Sequence, residues 1–285
     1  MTILSGAKRS RLTRLADDKR FQKIAALVQD FMDFRAASSW SSQLAFVPGV
    51  TRIPLNVPTY GAPEVIEALD SLMSTWVTMG AKVKAFEEMW AEYIGVQNAV
   101  MTNSGSSANL LALSCLGLEP GDEVIVPALT WSTSIFPIAQ VGAVPVLVDV
   151  DKETYTISPE AVRRAITPKT RAIMAVHLLG NPCDMDALCP MMFQGKGLYL
   201  IEDACEAHGA EYHGLKVGSF GDLATFSFFF SHHISTIEGG MVVTRESDWT
   251  DTCRSLRAHG WIREMSDRKG IAEDNPTIDP RFLFA

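Results

Sequence analysis

Apolar segments of strand length alternate with helical segments through the middle of this 285-residue chain. Candidate helices begin between them near Ser106, Ser132, Pro159 and Asp184. The candidate strands are Ala99–Asn103, Glu123–Pro127, Pro145–Val150, Ala172–Leu178, Leu198–Glu202, Ala224–Phe229 and Met241–Thr244. Their nearly continuous apolar character is typical of strands that are buried on both faces. The sequence therefore predicts an α/β fold with three layers, α/β/α, around a mostly parallel seven-stranded sheet.

Further helical patterns flank this alternation. The additional helix candidates are Arg11–Arg35, Pro63–Trp76, Ala81–Tyr93 and Ser247–Ala258. Residues 36–54 are interrupted by serines and prolines, so we expect a linker there. The chain ends on the apolar segment Arg281–Ala285 with no closing element, and we expect Phe282, Leu283 and Phe284 to lack cover.

The overall charge and the cysteines exclude several classes of protein. A formal net charge of −8 argues against a nucleic-acid partner or an anionic membrane surface, because both need clustered Lys and Arg. The five cysteines form no CxxC pair, which favours free thiols in a reducing cytoplasm. Met1–Asp18 has no apolar core of a signal peptide, and no apolar run reaches the roughly 20 residues of a membrane helix.

The segment Asn103–Asn109, Asn-Ser-Gly-Ser-Ser-Ala-Asn, follows a predicted strand and opens a predicted helix. Its small residues would let backbone amides approach an anion, and the N-terminus of a helix attracts negative charge. It is not a Walker A loop, because no Gly-Lys-Ser/Thr follows. The segment is compatible with a phosphate cradle and, equally, with a simple helix N-cap.

Two other predicted strands end in residues that suit a ligand site. Asp203 stands at the end of an apolar strand and would deliver a carboxylate into a site, although a helix N-cap is an equally good interpretation. Trp131 follows the strand that ends at Pro127 and could stack on a flat ring. A lone aromatic residue of this kind is more often part of the core.

The stretch Thr225–Met241 reads as a strand, a polar turn with two adjacent histidines, and a Gly-Gly entry into a second strand. A polar turn between buried strands is a common place for chemistry. Ser227 lies five residues before His232, so Ser227 could reach a phosphate while the imidazole faces a ring. On their own, His232 and His233 would be interpreted as surface turn residues.

Taken together, the four motifs resemble the DegT/DnrJ/EryC1/StrS sugar aminotransferase family of fold-type I pyridoxal-phosphate enzymes, which act on nucleotide-linked sugars, and they occur along the chain in the family's order. The resemblance covers roughly Ile53 to Arg263. It implies that Gly105 and Ser106 hold the cofactor phosphate through backbone amides, with help from Ser227.

The same resemblance assigns roles around the cofactor ring. It implies that Trp131 stacks on the pyridine ring and that Glu206 lies close by. It also implies that Asp203 pairs with the pyridine nitrogen and keeps it protonated, so that the ring accepts electrons.

His232 is the departure from the aminotransferase pattern. The family's aminotransferases carry a lysine five residues after the phosphate-binding serine, and that lysine holds the cofactor covalently. Ser-His-His-Ile with Glu-Gly-Gly downstream is similar to the family's 3-dehydratase branch, which makes 3-deoxy sugars. Without the lysine, the cofactor would be held non-covalently, most usefully as pyridoxamine phosphate, whose amine can condense with a 4-keto sugar.

The resemblance makes His232 the catalytic base, which removes the C4′ proton while the C3 hydroxyl of the sugar leaves. We assign His232 rather than His233 because it stands at the family's lysine position. Adjacent residues in an extended segment also point to opposite faces, so only one imidazole can face the ring.

The 3-dehydratase branch has one subgroup with an iron–sulfur cluster and a reductase partner, and another that uses glutamate. A cluster needs several thiolates, and no cysteine follows Trp261, so no iron–sulfur cluster is expected. The expected cofactors are pyridoxal 5′-phosphate and pyridoxamine 5′-phosphate. The expected ligands are a nucleotide-linked 4-keto-6-deoxy sugar and an amino donor such as glutamate, in deoxysugar and O-antigen lipopolysaccharide biosynthesis.

The resemblance also divides the chain. It implies an N-terminal helix and linker in residues 1–52, a cofactor-binding large domain in 53–246, and the start of an incomplete C-terminal small domain in 247–285. Family members continue into a small domain that completes a dimeric active site, so we interpret the chain as a fragment of a homodimeric protein. Two alternatives remain open: a sugar aminotransferase whose lysine is functionally replaced, and a non-catalytic relic that binds a sugar nucleotide or pairs with an intact homologue.

Overall fold

One seven-stranded sheet forms the centre of the fold, with the strand order β1-β9-β8-β5-β4-β2-β3. The computed structural model describes residues 15–38, 47–52, 60–193, 197–279 and 283–284. The sheet's strands are β1 (Asn98–Thr102), β2 (Glu123–Pro127), β3 (Val144–Val148), β4 (Thr170–Val176), β5 (Tyr199–Asp203), β8 (Leu223–Ser227) and β9 (Gly240–Thr244). A separate two-stranded hairpin, which the sequence did not predict, consists of β6 (Glu211–Tyr212) and β7 (Leu215–Lys216).

Four of the six strand pairings in this sheet are parallel. They join β2 to β3 and β4, β4 to β5, and β5 to β8. Strand β9 runs antiparallel to both of its neighbours, β1 and β8. The predicted mostly parallel seven-stranded sheet is confirmed.

Both faces of the sheet are buried, because alternate residues of the central strands enter two different core clusters. Val124 and Val126 pack in one cluster with Ile138, whereas Ile125 packs in the other with Val162. Successive side chains of a strand point to opposite faces, so this alternation places helices on each side. The predicted three-layer α/β/α arrangement follows from it.

The described residues also form α-helices. They are α1 (Lys19–Ser38), α2 (Ala62–Met73), α3 (Ala81–Ile94), α4 (Gly105–Cys115), α5 (Ser132–Gln140), α6 (Pro159–Ala165), α7 (Met185–Leu188), α8 (Ser247–Arg257) and α9 (Arg268–Asp274). Short 3₁₀ turns occur at Leu178–Gly180, Cys189–Phe193 and Ile262–Glu264. Within the described ranges, no helix is long and apolar enough to cross a membrane.

Two helices in the N-terminal part differ from their predicted bounds. The helix expected from Arg11 begins at Lys19, because residues 15–17 form a turn and Asp18 Oδ1 accepts the Arg20 amide at 2.8 Å. Residues 11–14 lie outside the described chain. Helix α2 ends at Met73 rather than Trp76, because Thr75 adopts a left-handed φ of 61° that no α-helix continues through. Of the predicted linker, residues 47–52 are described and form turns and a bend.

The C-terminal segment is better covered than its sequence suggested. Leu283 is buried, and its carbonyl accepts the amide of Ile262 at 3.3 Å. Phe284 stacks on Trp261 with ring centroids 6.4 Å apart, although more than half of its surface stays exposed. The expectation that this segment lacks cover is therefore wrong for Leu283, while Phe282 lies outside the described residues.

Contacts within the chain define two compact units. One comprises the described parts of Met1–Phe86 together with Phe230–Ile237, and the other comprises Glu87–Phe229 and the described parts of Glu238–Ala285. The second unit contains the whole seven-stranded sheet. The domain division at residues 52 and 246 stays a prediction.

Candidate active site

The carboxyl ends of neighbouring strands bring Asp203 and Ser227 to one edge of the sheet. Strands β1, β5 and β8 point in the same direction and end at Thr102, Asp203 and Ser227. Ligands in open α/β sheets bind beyond this edge. Asp203 and Ser227 are both buried, which shows that these strand ends face into packed surroundings rather than open solvent.

Gly105 is the point at which helix α4 meets the ends of β5 and β8. A Cβ atom at Gly105 would lie 2.5 Å from the Cβ of Ser227 and 2.9 Å from the Sγ of Cys205. Contacts that short do not occur between real side chains, so only glycine fits. This close approach places the first turn of α4 directly beside Ser227.

The N-terminus of α4 leaves backbone donors at the same place. Ser104 caps the helix, its Oγ accepting the Ser107 amide at 3.1 Å. Among the described residues, the amides of Gly105 and Ser106 have no acceptor, and Ser106 is exposed. The cap and the anion cradle are therefore not exclusive alternatives, because Ser104 performs the first and Gly105 and Ser106 keep amides available for the second.

Asp203 accepts hydrogen bonds on both carboxylate oxygens. Oδ2 accepts from Ser134 Oγ at 2.7 Å and from Asn109 Nδ2 at 2.9 Å, and Oδ1 accepts the Cys205 amide at 3.2 Å. Residues 204–209 form turns, so Asp203 does not cap a helix. The N-cap interpretation of Asp203 is wrong, and the carboxylate is instead held by side chains of α4 and α5.

Cys205 lies beside this carboxylate. Burial, together with the negative charge of Asp203, raises the pKa of the Cys205 thiol well above its usual value. The thiol is therefore neutral at physiological pH and adds no second charge next to Asp203.

Trp131 lies in the short segment between β2 and α5, and Glu206 lies in a turn that follows β5. Trp131 immediately precedes helix α5 and is 76% exposed, so the interpretation of this residue as core is wrong. Its indole faces are available for stacking. Glu206 is partly buried, and its carbonyl oxygen would lie 3.6 Å from a Cβ atom at Gly180.

His232 and His233 belong to the segment Phe230–Ile237, which groups with the first compact unit. Residues 230–234 form a turn and bends rather than an extended strand, so the strict alternation assumed for the two imidazoles does not apply. His232 is partly exposed and His233 is exposed. The choice of His232 over His233 stays a prediction that depends on its spacing from Ser227.

The sequence reasoning missed the residues that hold Asp203. Asn109 and Ser134 are fully buried polar residues of α4 and α5. Asn109 is the last residue of the predicted cradle, and Ser134 follows Trp131 by three positions. Their place one turn inside helices that start at the site was the available signal, because small polar side chains there face the strand ends.

Potential metal ligands are the last feature of the candidate site. Among the residues that the structure describes, no group of three or more His, Cys, Asp and Glu side chains is arranged to hold a metal ion. The described cysteines are all free thiols. The absence of an iron–sulfur cluster stays a prediction.

Comparison with known proteins places the chain in a family. Residues 59–274 match the DegT/DnrJ/EryC1/StrS aminotransferase family, and the chain belongs to that family. The fold described above is the α/β fold of its solved members.

Individual relatives carry two different activities. The chain is 42% identical over 233 residues to the GDP-4-keto-6-deoxy-D-mannose 3-dehydratase of Yersinia pseudotuberculosis, covering 80% of this chain and 59% of that protein. It is 43% identical over 210 residues to the GDP-perosamine synthase of Caulobacter vibrioides, and this match covers 73% of this chain and 56% of that protein. The chain thus spans less than two thirds of either relative.

A solved structure of a GDP-4-keto-6-deoxymannose-3-dehydratase, with a trapped PLP–glutamate geminal diamine, superimposes with a TM-score of 0.69. It shares 36% sequence identity, and the match covers 82% of this chain and 59% of that one.

Proposed function

We propose that this chain is the cofactor-binding part of a pyridoxamine-phosphate-dependent 3-dehydratase that acts on a nucleotide-linked 4-keto-6-deoxy sugar. Overall identity does not decide between the two activities of the relatives, because the dehydratase and the perosamine synthase are equally similar. The observation that carries the proposal is His232, which stands five residues after Ser227 where the aminotransferases of the family need a lysine.

The phosphate end of the cofactor fits the meeting point of α4 and β8. The glycine at 105 keeps this space open, the amides of Gly105 and Ser106 are available as donors, and Ser227 lies beside them. A helix N-terminus adds favourable potential for a dianion. These three residues would bind the phosphate.

The ring end fits Asp203 and Trp131. A buried carboxylate that is held by two side-chain donors would meet the pyridine nitrogen, and the exposed indole would cover one face of the ring. Glu206, in the turn after Asp203, would lie close to the ring. The bound cofactor supplies an amine for the 4-keto group and an electron sink for loss of the C3 hydroxyl.

The residues of the chain bind, orient and move protons. His232 would take a proton from the cofactor carbon that bears the amine, and imidazole is the side chain that most often acts as a general base. Glutamate would return the cofactor to its aminated form, as the trapped adduct in the solved dehydratase suggests. We place the enzyme in the cytoplasm, as a homodimer, in deoxysugar or O-antigen lipopolysaccharide biosynthesis.

Absorbance spectroscopy after reconstitution tests the proposal. The purified chain is incubated with pyridoxal phosphate or pyridoxamine phosphate, treated with borohydride and dialysed. We expect binding of both cofactors, with complete loss on dialysis and no cofactor attached to the polypeptide. Cofactor retained on a lysine would favour the aminotransferase, and no binding at all would favour a non-catalytic protein.

A further inference from the structure

We infer that Ser134 and Asn109 are positioning residues for the ring-nitrogen site: they occupy Oδ2 of Asp203 and leave Oδ1 as the oxygen that meets the cofactor. The inference rests on the proposed function, because it takes the pyridine nitrogen as the partner of Asp203. Neither residue would touch the cofactor, and both act through the carboxylate.

Oδ2 of Asp203 receives two short hydrogen bonds. Ser134 Oγ lies 2.7 Å away and Asn109 Nδ2 lies 2.9 Å away. Oδ1 receives the amide of Cys205, at the longer distance of 3.2 Å, and the Cys205 thiol also interacts with the carboxylate. Oδ1 is therefore the oxygen with capacity for a further donor.

The surrounding contacts fix Asn109 as a donor. Its Nδ2 also donates to the carbonyl of Thr133 at 3.1 Å, and its Oδ1 accepts from Thr225 Oγ1 at 2.6 Å. A carbonyl oxygen can only accept, so the amide nitrogen must point towards Thr133 and Asp203. Asn109 uses both of its N–H groups in this arrangement.

Ser134 is fixed as a donor in the same way. Its hydroxyl has one hydrogen, which it donates to the carboxylate oxygen 2.7 Å away, because a carboxylate can only accept. The contact of Ser134 Oγ with Thr130 Oγ1 at 2.9 Å then runs from Thr130 to Ser134. A chain of hydroxyls from Thr130 through Ser134 thus ends on Asp203.

Burial strengthens the hydrogen bonds that orient the Asp203 carboxylate. Asn109, Ser134 and Thr225 are fully buried, and Asp203 is 5% exposed. Hydrogen bonds to a charged group are stronger in such surroundings than in water. The carboxylate is therefore set in one orientation before any ligand arrives, which is the arrangement that a preorganised site requires.

This role has a signature that a purely structural role lacks. Loss of the Ser134 hydroxyl should weaken only the interaction that Asp203 makes with a ring nitrogen. The test compares dissociation constants of the purified chain for pyridoxal phosphate and for its 1-deaza analogue, in which a C–H group replaces the ring nitrogen. Wild-type protein should prefer pyridoxal phosphate.

Ser134→Ala should reduce that preference roughly tenfold, the size of effect expected for one hydrogen bond to a charged group. Ser134→Thr keeps the hydroxyl and should retain the preference for pyridoxal phosphate. Ser114→Ala is the matched control, because the Ser114 hydroxyl donates to the carbonyl of Leu110 within helix α4.

Thermal melting curves of each variant show whether it folds. Thr130→Val, at the outer end of the hydroxyl chain, takes the place of Ser134→Ala if that variant does not fold, and a smaller decrease is expected.

The outcomes separate the two claims. If wild-type protein binds the two compounds equally, Asp203 has no ring-nitrogen partner and the proposed cofactor site is wrong, together with this inference. If wild-type protein shows the preference and the folded variants of Ser134 or Thr130 keep it unchanged, or weaken both compounds equally, the inference alone is overturned.

Discussion

His177 Nε2 lies 3.0 Å from Glu202 Oε2, and both side chains are fully buried. The imidazole Nδ1 accepts the amide of Cys183 at 3.0 Å, which fixes the proton on Nε2 and points it at the carboxylate. Glu202 and Asp203 are neighbours on β5 and point to opposite faces. One carboxylate thus serves the packing of the sheet, and the next serves the candidate site.

Glu202 is also the acceptor for the loop that leads into β8. Its oxygens accept the amides of Gly218, Phe220 and Gly221 at 2.7–2.8 Å. Glu202→Gln places an N–H group against some of these donors, so we expect a loss of about 3–5 kcal/mol in the free energy of unfolding. Urea denaturation measures it. Glu160→Gln, at an exposed ion pair on α6, should change stability by less than about 0.5 kcal/mol.

The ionisation of Glu202 should also make the stability of the protein depend on pH. Burial alone would raise the pKa of Glu202, but hydrogen bonds from His177 and from the Gly221 and Gly218 amides lower it below its ordinary value. A lowered folded pKa gives stability that is complete above the unfolded pKa, near 4.3, and is lost as the pH falls through the folded pKa. The stability gap between wild type and Glu202→Gln should therefore shrink as the pH falls below about 4.3. A gap that grows on acidification would contradict this assignment.

Gly105 provides a direct test of the phosphate cradle. Gly105→Ala would bring a methyl group within 2.5 Å of the Ser227 Cβ, so α4 or β8 must shift. We expect cofactor affinity to fall by at least tenfold and stability to fall by about 1–3 kcal/mol, as for other overpacked sites. Gly61→Ala, whose new methyl group would meet nothing closer than 3.7 Å, is the matched control. Equal cofactor affinities for the two variants would exclude this location for the phosphate.

The two histidines can be separated by substitution with lysine. If position 232 corresponds to the family's lysine, His232→Lys should attach the cofactor covalently, so that borohydride fixes it to the protein through dialysis. His233→Lys should leave the cofactor removable. Mass spectrometry of peptides that contain residues 232 and 233 measures this, and attachment at 233 alone would reverse the assignment.

Cys115 on α4 and Cys253 on α8 are free thiols whose sulfur atoms lie 3.1 Å apart. Oxidised glutathione should convert the two thiols to a disulfide with loss of two hydrogens, while the reagent is reduced to thiols. Hydrogen bonding to Cys115 and burial raise the pKa of Cys253, so the reaction should be slow. The closed loop should stabilise the chain by about 5 kcal/mol in urea. Cys115→Ser should show neither the mass change nor the stabilisation.

The fold could be predicted because its signal is local. The strands are short apolar runs between turn residues, and their bounds in the structure differ from the predicted ones by only one or two residues, as for β1 at Asn98–Thr102. The hairpin of β6 and β7 was missed because two-residue strands carry no periodicity. The end of α2 was misplaced because Thr75 gives no sequence signal for a left-handed conformation.

The site was predictable only in part. Asp203 and Ser227 end strands and Gly105 opens a helix, and these positions carry a recognisable pattern. Ser134 and Asn109 carry no such pattern. Their position near the start of a helix was the available signal, and their role became visible only when the tertiary structure brought the carboxylate of Asp203 to them.

The product formed from a nucleotide-linked 4-keto-6-deoxy sugar distinguishes a 3-dehydratase from an aminotransferase. The chain, or the longer protein that contains it, is incubated with GDP-4-keto-6-deoxymannose, pyridoxal phosphate and glutamate, and the product is analysed by mass spectrometry. We expect a 3-deoxy sugar that is lighter by one oxygen atom, with a rate about 10²–10⁴-fold lower for His232→Asn and nearly unchanged for His233→Asn. A 4-amino sugar, or full dehydration by His232→Asn, would contradict it.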